Sequence, residues 1–469
     1  MNSFFLKFII PKSFQLLIVL IMFCFFIGSC KKFVSIPPPE VRLETSQVFG
    51  NDQSAIGSVV GLYSQFVQSS FSITNGGGSI YPALSADEIY NTAANVDYDA
   101  FRTNNIIPVT NTTGLNRMWQ AGFRNIYHVN AVIEGLTKST ALTDSVKSQL
   151  MGEMLVARAF NYLYLVNLYG DLPLITTISF GVNEKLSRSS VASIYQQITT
   201  DLVEAKMKLK SNYPSSGRVR PNKLVAIALL ARVYLYLSDW ENAAEQAAEV
   251  INSGTYSLGS NLNNVFLASS NEAIWQVSPT STTLNTIEGN QFNPPSSTVR
   301  PTFAITDYLL NSFELGDLRK TNWLRSNIVS GITYHYPYKY KVRTGAPPYT
   351  ELNVWLRLAE MYLIRAEAKA QLNDLIAAKG DLNKIRNRAG LTNSLAVTQG
   401  DILSAIAQER RVELFTEWGH RWLDLKRTKK ENEVLSSIKN PNWQPTDVLY
   451  PIAQYELDTN PFLVQNPGY

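Results

Sequence analysis

The chain has 469 residues, 45% of them hydrophobic, with 42 Lys and Arg against 38 Asp and Glu. This composition supplies a large core and excludes intrinsic disorder, and without a long basic block it gives no footprint for nucleic acid. The two cysteines, Cys24 and Cys30, are too few for a disulfide framework or a Cys-ligated metal.

The first element is an apolar run from Leu16 to Ile27 behind Lys7 and Lys12, closed by Ile27-Gly28-Ser29-Cys30. A basic start, an apolar stretch too short to span a bilayer comfortably and small residues before a Cys read as a lipoprotein signal peptide over 1–29. Cys30 is then the lipidation site and Cys24 leaves with the signal, so the mature chain is expected to carry no disulfide and no thiol nucleophile. Burial of acyl chains at ~0.8 kcal/mol per CH₂ makes a two- or three-chain anchor stable. Pro37, Pro38 and Pro39 favour extended polyproline geometry, so 30–45 reads as a semi-rigid tether. Residues 46–469 follow as one domain, with an N-terminal part to about 220 and a C-terminal part beyond it.

Between Ser69 and Asn116 the chain is rich in Gly, Asn and Thr and is expected to be irregular. It is long enough to be functional rather than a simple connection. Sugar recognition needs flat apolar faces beside fixed donors and acceptors. Tyr81, Asp87, Tyr90 and Tyr98 are candidate ligand residues on that ground, although a loop Tyr more often anchors its loop to the scaffold.

Strong helical periodicity begins with Leu155 to Leu168 and continues in Ile194, Ile198, Leu202, Ala205 and Leu209, with Ser189 and Ser190 available as caps. Further helices are expected over Leu224 to Leu237, Glu241 to Asn252, Trp355 to Ala370, Leu375 to Arg388 and Ile402 to Trp418, which makes the fold class mainly α. Two of these pairs repeat. Aligning Asp239 with Asp374 places Ala231 on Ala366, Leu237 on Leu372, Ala243 on Ala378 and Val250 on Ile385. Small residues at matching positions let antiparallel helices approach closely, as in tetratricopeptide repeats, and two unrelated Ala-rich hairpins are the plainer alternative.

A second region expected to be irregular, Ser278 to Tyr349, offers Phe292, Trp323, Tyr334, Tyr336, Tyr338 and Arg343. Trp323, lying among polar residues without a helical stripe, is the preferred platform, with Tyr334, Tyr338 and Arg343 as further ligand candidates. Trp119 and Trp275 sit in apolar patterns and read as core. The run Glu409, Arg410, Arg411, Glu413, Glu417, His420, Arg421, Asp424 reads as a structural ion-pair ladder rather than a pair of catalytic acids. No catalytic residue is assigned. His128, His335 and His420 lack metal-ligand spacing, and no phosphate loop or nucleophile elbow appears. No cofactor is expected, and loop Asp and Asn oxygens have no dedicated calcium spacing.

The segments Ala157 to Leu174, Ala228 to Trp240 (ALLARVYLYLSDW), Leu356 to Ala368 with Leu382 to Gly390, Glu409 to Arg427, and Leu449 to Tyr469 ending in QNPGY resemble the SusD/RagB family in order. Asp87 and Glu88 in SADE resemble that family's N-terminal acidic motif. The resemblance implies a SusD-like helical scaffold containing tetratricopeptide-like pairs and carrying a long irregular ligand-binding face. It further implies a non-catalytic, lipid-anchored nutrient-binding protein exposed at the cell outer membrane. Such a protein captures oligosaccharides and passes them to a SusC-like TonB-dependent transporter. A peptide-binding surface lipoprotein, or a tetratricopeptide-type scaffold of an uptake complex, is the alternative.

Overall fold

The computed structural model describes residues 45–469. The signal segment, Cys30 and the Pro37–Pro39 tether lie outside the described residues. A helical turn at Thr45–Val48 belongs to one unit and Phe49–Tyr469 forms a second. Among the described residues no helix is long and apolar enough to cross a membrane.

Helices dominate the second unit. In its N-terminal part, α1 (Asp52–Phe66), α2 (Gly77–Ser85), α3 (Val96–Thr103), α4 (Thr112–Lys138), α5 (Asp144–Tyr169) and α6 (Val191–Lys208) are joined by one short strand, β1 (Ile89–Asn91). The Asn51 side chain caps α1 by accepting from Ser54 N at 2.9 Å, and Ser190 caps α6 from the expected position. From Gln149 onward α5 is buried on nearly every face, packing against both α4 and α6, and is mainly apolar for that reason. Its one buried cation, Arg158, is neutralised bidentately by Asp201 of α6 at 2.8 and 2.7 Å.

Helices α7 (Lys223–Tyr236) and α8 (Trp240–Asn252) form one hairpin, and α10 (Leu358–Gln371) and α11 (Leu375–Arg388) another, with α8 packed on α10. The repeat read from sequence extends to the turn geometry. Ser238 and Asn373 take the left-handed conformation at φ 58° and 62°. Asp239 and Asp374 then cap the second helices by accepting from the amides of Asn242 and Ala377, each at 3.3 Å. Ala231, Ala366, Ala243, Ala378, Val250 and Ile385 are all fully buried where the helices cross.

In the chain between the two hairpins come α9 (Ile287–Phe292) and the strands that, together with β1, make the antiparallel pairs among the described residues. These are β1 with β3 (Phe303–Ile305), β2 (Ala273–Val277) with β6 (Asn353–Arg357), and β4 (Leu324–Val329) with β5 (Ile332–Pro337). The chain closes with α12 (Gln399–Glu413), α13 (His420–Arg427), α14 (Glu431–Ile438) and α15 (Gln454–Thr459). An aromatic cluster ties α5 to the β2–β6 pair. Phe160 stacks on Trp355 with ring centroids 4.3 Å apart, and Trp275 and Trp418 pack against the same ring.

Two expectations about irregular structure are corrected. Residues 69–116 contain α2, in which every residue is buried. Its glycines permit this, since a Cβ on Gly77 would meet Phe71 O at 2.3 Å and one on Gly78 would meet Ile73 O at 2.6 Å. Residues 278–349 contain the β4–β5 hairpin, which closes through Ser330 and Gly331 at φ 50° and 77°, the two-residue turn whose twist matches the strands.

Candidate functional site

Cross-strand pairing decides which side chains of the hairpin share a face. Arg325 stands opposite Tyr336 and Asn327 opposite Tyr334, so Arg325, Asn327, Tyr334 and Tyr336 lie on one face. Tyr338 continues the alternation past the end of β5, and its ring meets that of Tyr336 edge-on at 6.4 Å. Against this face lies the segment 293–299, held there by Asn327, whose amide donates to Ser296 O at 2.9 Å and Val299 O at 2.7 Å. Between the two runs a cleft of about 590 Å³, lined among others by Asn293, Ser326, Arg325, Tyr338, Lys341 and Arg343.

The guanidinium of exposed Arg325 lies over the Tyr338 ring, 4.4 Å from its centroid, and Lys341 Nζ stands 5.4 Å from the same centroid. Lys341 also donates to Asn263 Oδ1, and burial holds its ammonium pKa below the usual value. Arg343 Nε and Asn293 Oδ1 are buried in the cleft wall with no hydrogen-bond partner among the described residues. Among the described residues no Asp or Glu lines the cleft. The Glu351 carboxylate is turned inward, accepting from the amides of Lys341 and Val342 at 2.8 and 3.0 Å.

The strand leading into the cleft is anchored from behind. Lys339 is buried, and its Nζ donates to Glu413 O and Phe415 O, each at 2.8 Å, and to the Glu417 carboxylate. Burial pushes its pKa down to about 8, with Glu417 opposing that shift. Glu417 also accepts from Arg357 at 2.7 Å, Glu413 from Arg357 at 2.6 Å, and Glu409 from Arg319 at 2.6 Å. The acids of the charged run therefore face guanidinium groups inside the protein, a structural network with no solvent-facing carboxylate pair.

Of the residues singled out in the sequence, Tyr336, Tyr338 and Arg343 meet at the cleft, and Tyr338 and Arg343 are the two that were ligand candidates. Trp323 is corrected from platform to core. It is fully buried, packs on Phe266 and Phe415 and donates its indole N–H to Leu262 O at 3.0 Å. Tyr81 is also core, 4.5 Å from the Phe101 ring centroid, and burial drives its phenol pKa upward. Asp87 is buried between Arg411 and Arg421, which it meets at 2.6 and 2.7 Å, so its carboxylate is committed to those guanidinium groups and lies outside the cleft. Tyr98 is half-buried edge-on against Phe303, and Tyr90 is half-buried near Tyr334 and Asp307, which with burial raise its pKa. Tyr334 is half-buried on the hairpin but does not line the cleft.

Arg325 and Lys341 are the charged cleft residues that sequence reasoning missed, along with the polar Asn293 and Asn327. The alternation of Arg325 and Asn327, then Tyr334, Tyr336 and Tyr338, about Ser330-Gly331 is the hairpin signal that marks Arg325. Among the described residues no group of three His, Cys, Asp or Glu side chains is placed to hold a metal. A separate groove of about 860 Å³ runs along α6 beside the end of α7, lined by Val203, Met207 and Leu237 and carrying no cluster of chemistry-bearing groups.

The profile of the SusD family matches residues 318–469, and that of a family described as starch-binding and associating with the outer membrane matches 59–235. The chain is 25% identical to SusD-like protein P25 of Formosa agariphila over 97% of this chain and 99% of that one. A SusD superfamily protein from Bacteroides vulgatus has the same fold, with a TM-score of 0.77 and 21% identity over 89% of this chain and 99% of its own. A laminarin-binding SusD-like protein superposes with a TM-score of 0.75 and 24% identity, over 89% of this chain and 100% of its own.

Proposed function

We propose, from the premise that the chain belongs to the SusD/RagB family, that it is a non-catalytic glycan-binding protein acting in nutrient capture. The observation that carries this reading is the cleft beside the β4–β5 hairpin. It combines an aromatic ring, a free amide oxygen at Asn293, guanidinium donors and, among the described residues, no carboxylate in its wall, so it has groups to hold sugar hydroxyls and none there to cleave a glycosidic bond. The laminarin-binding neighbour supports a carbohydrate ligand.

Lipidation at Cys30, surface exposure at the outer membrane and delivery to a SusC-like TonB-dependent barrel complete the proposal. A tether to the same membrane raises the effective concentration of captured ligand at such a transporter. Calorimetric titration with a panel of oligosaccharides tests the capture step. Binding without release of new reducing ends, weakened at least tenfold by Arg325→Ala, is the expected outcome. Titrations in which peptides bind and no glycan does would sink it and favour the scaffold reading, for which the apolar α6 groove is the motivating feature. Co-purification of a barrel with the intact protein, lost on Cys30→Ala, tests the partnership.

A further inference from the structure

Three cations surround the cleft; among the described residues Arg325 and Arg343 face no carboxylate, and only Lys341 has one near it, Glu351, turned inward behind the cleft wall. Arg325 makes its contact with a ring, Lys341 donates to a neutral amide, and Arg343 leaves its Nε without an acceptor in the cleft wall. Elsewhere the same chain pairs its buried guanidinium groups with acids, as Arg158, Arg232, Arg319, Arg357 and Arg410 all are. Like charges gathered in one concave surface repel one another and focus a positive field into it. A neutral sugar offers nothing that relieves this.

The Tyr338 face is moreover already covered by Arg325, so the surface first met by a ligand is a guanidinium plane backed by a ring. Such a plane presents parallel N–H donors to a planar or tetrahedral oxyanion. Resting on the glycan-capture reading, we propose that the β4–β5 cleft selects anionic oligosaccharides, whose pendant carboxylate or sulfate groups are held by Arg325 and Arg343 with Lys341 completing the charge. The unsatisfied Asn293 Oδ1 then accepts from a hydroxyl of the sugar ring that carries the anion.

The test uses the full-length protein in detergent and matched pairs of probes. One pair is tetragalacturonate and its carboxyl-reduced tetrasaccharide, and the other a sulfated carrageenan tetrasaccharide and its desulfated form. Each is titrated at about 50 and 300 mM NaCl, across which screening weakens exposed charge contacts. At low salt the anionic member of at least one pair is expected to bind at least tenfold tighter than its neutral partner, with most of that advantage lost at high salt. The pair that discriminates identifies carboxylate or sulfate as the group recognised.

Arg325→Gln with Arg343→Gln is expected to abolish the advantage. Arg325→Gln alone, at an exposed position, is expected to reduce it at least threefold with an unchanged melting temperature. Equal or tighter binding of the neutral members, or an advantage that survives the double substitution in a folded protein, overturns the proposal. Neutral binding without anionic preference leaves glycan capture standing, whereas failure of all four probes overturns both readings.

Discussion

Lys339 Nζ lies 3.9 Å from the centroid of the Phe415 ring and donates to the main-chain oxygen of the same residue at 2.8 Å. Through this double contact the strand that bears Tyr338 is fixed to the turn that follows α12. The cleft therefore inherits its rigidity from the buried charge network behind it. Lys339→Met is expected to lower stability by about 3 kcal/mol, the scale for removing one partner of a buried pair. Glu417 keeps its contacts with Arg357 at 2.7 and 2.9 Å, so the protein should still fold. Denaturant unfolding measures the loss, and a parallel fall in oligosaccharide affinity is expected because Tyr338 adjoins the lost anchor.

Trp323 and Tyr338 are expected to separate stability from binding. Trp323→Ala removes a fully buried indole and its hydrogen bond to Leu262, and should cost about 3–5 kcal/mol. Tyr338→Ala removes a half-buried ring and should cost about 1 kcal/mol or less, while ligand binding falls because Arg325 loses its backing. Thermal melts beside titrations distinguish the two, and a ligand affinity that followed Trp323 alone would restore that residue as the platform.

Glu88 predicts a pH dependence. It is buried beside Asp87, and burial followed by that neighbouring charge pushes its pKa up to about 8, although it accepts from Thr416 N at 3.2 Å. The folded protein therefore holds the Glu88 proton more tightly than the unfolded chain. This contribution to stability is fully present below the ordinary carboxylate pKa and is lost as pH rises through about 8. Over that window the slope from this one group approaches ~1.4 kcal/mol per pH unit. Glu88→Gln carries no such slope, so its stability relative to the parent should rise between pH 5.5 and 8.5. A difference that stays flat across those values contradicts the assignment, since the other titrating groups are common to both proteins.

The two left-handed turns give a paired prediction. Ser238→Gly should stabilise the α7–α8 hairpin by about 0.5–1 kcal/mol, because glycine takes a positive φ without the Cβ penalty. Asn373→Gly at the corresponding turn should gain less, since Asn tolerates this region better than Ser. Equal gains at both sites would show that the turn conformation, rather than the residue in it, sets the cost.

Sequence periodicity and punctuation were sufficient for six helices of the frame, whereas α1 and α4 were not read from them. Apolar spacing placed α5, α6, α7, α8, α10 and α11, and the matched residues around Asp239 and Asp374 disclosed two hairpins that coincide down to the sign of φ at Ser238 and Asn373. These features are local: a helix face, a cap and a turn are each set by residues a few positions apart. The segment 69–116 misled because Gly and polar residues usually mark loops, whereas here Gly77 and Gly78 are needed for backbone to approach backbone within the core.

Which aromatic faces solvent was decided only by tertiary structure. Trp323 and Tyr338 stand in similarly polar stretches of chain, yet one meets Phe266, Phe415 and the Leu262 carbonyl from distant segments, and the other does not. The sequence by itself determined a helical scaffold and the tyrosine-rich stretch from which the cleft is built. The fold decided the rest, because burial and charge pairing depend on partners up to hundreds of residues away, as with Asp87 and Arg421, and no local pattern encodes that neighbour.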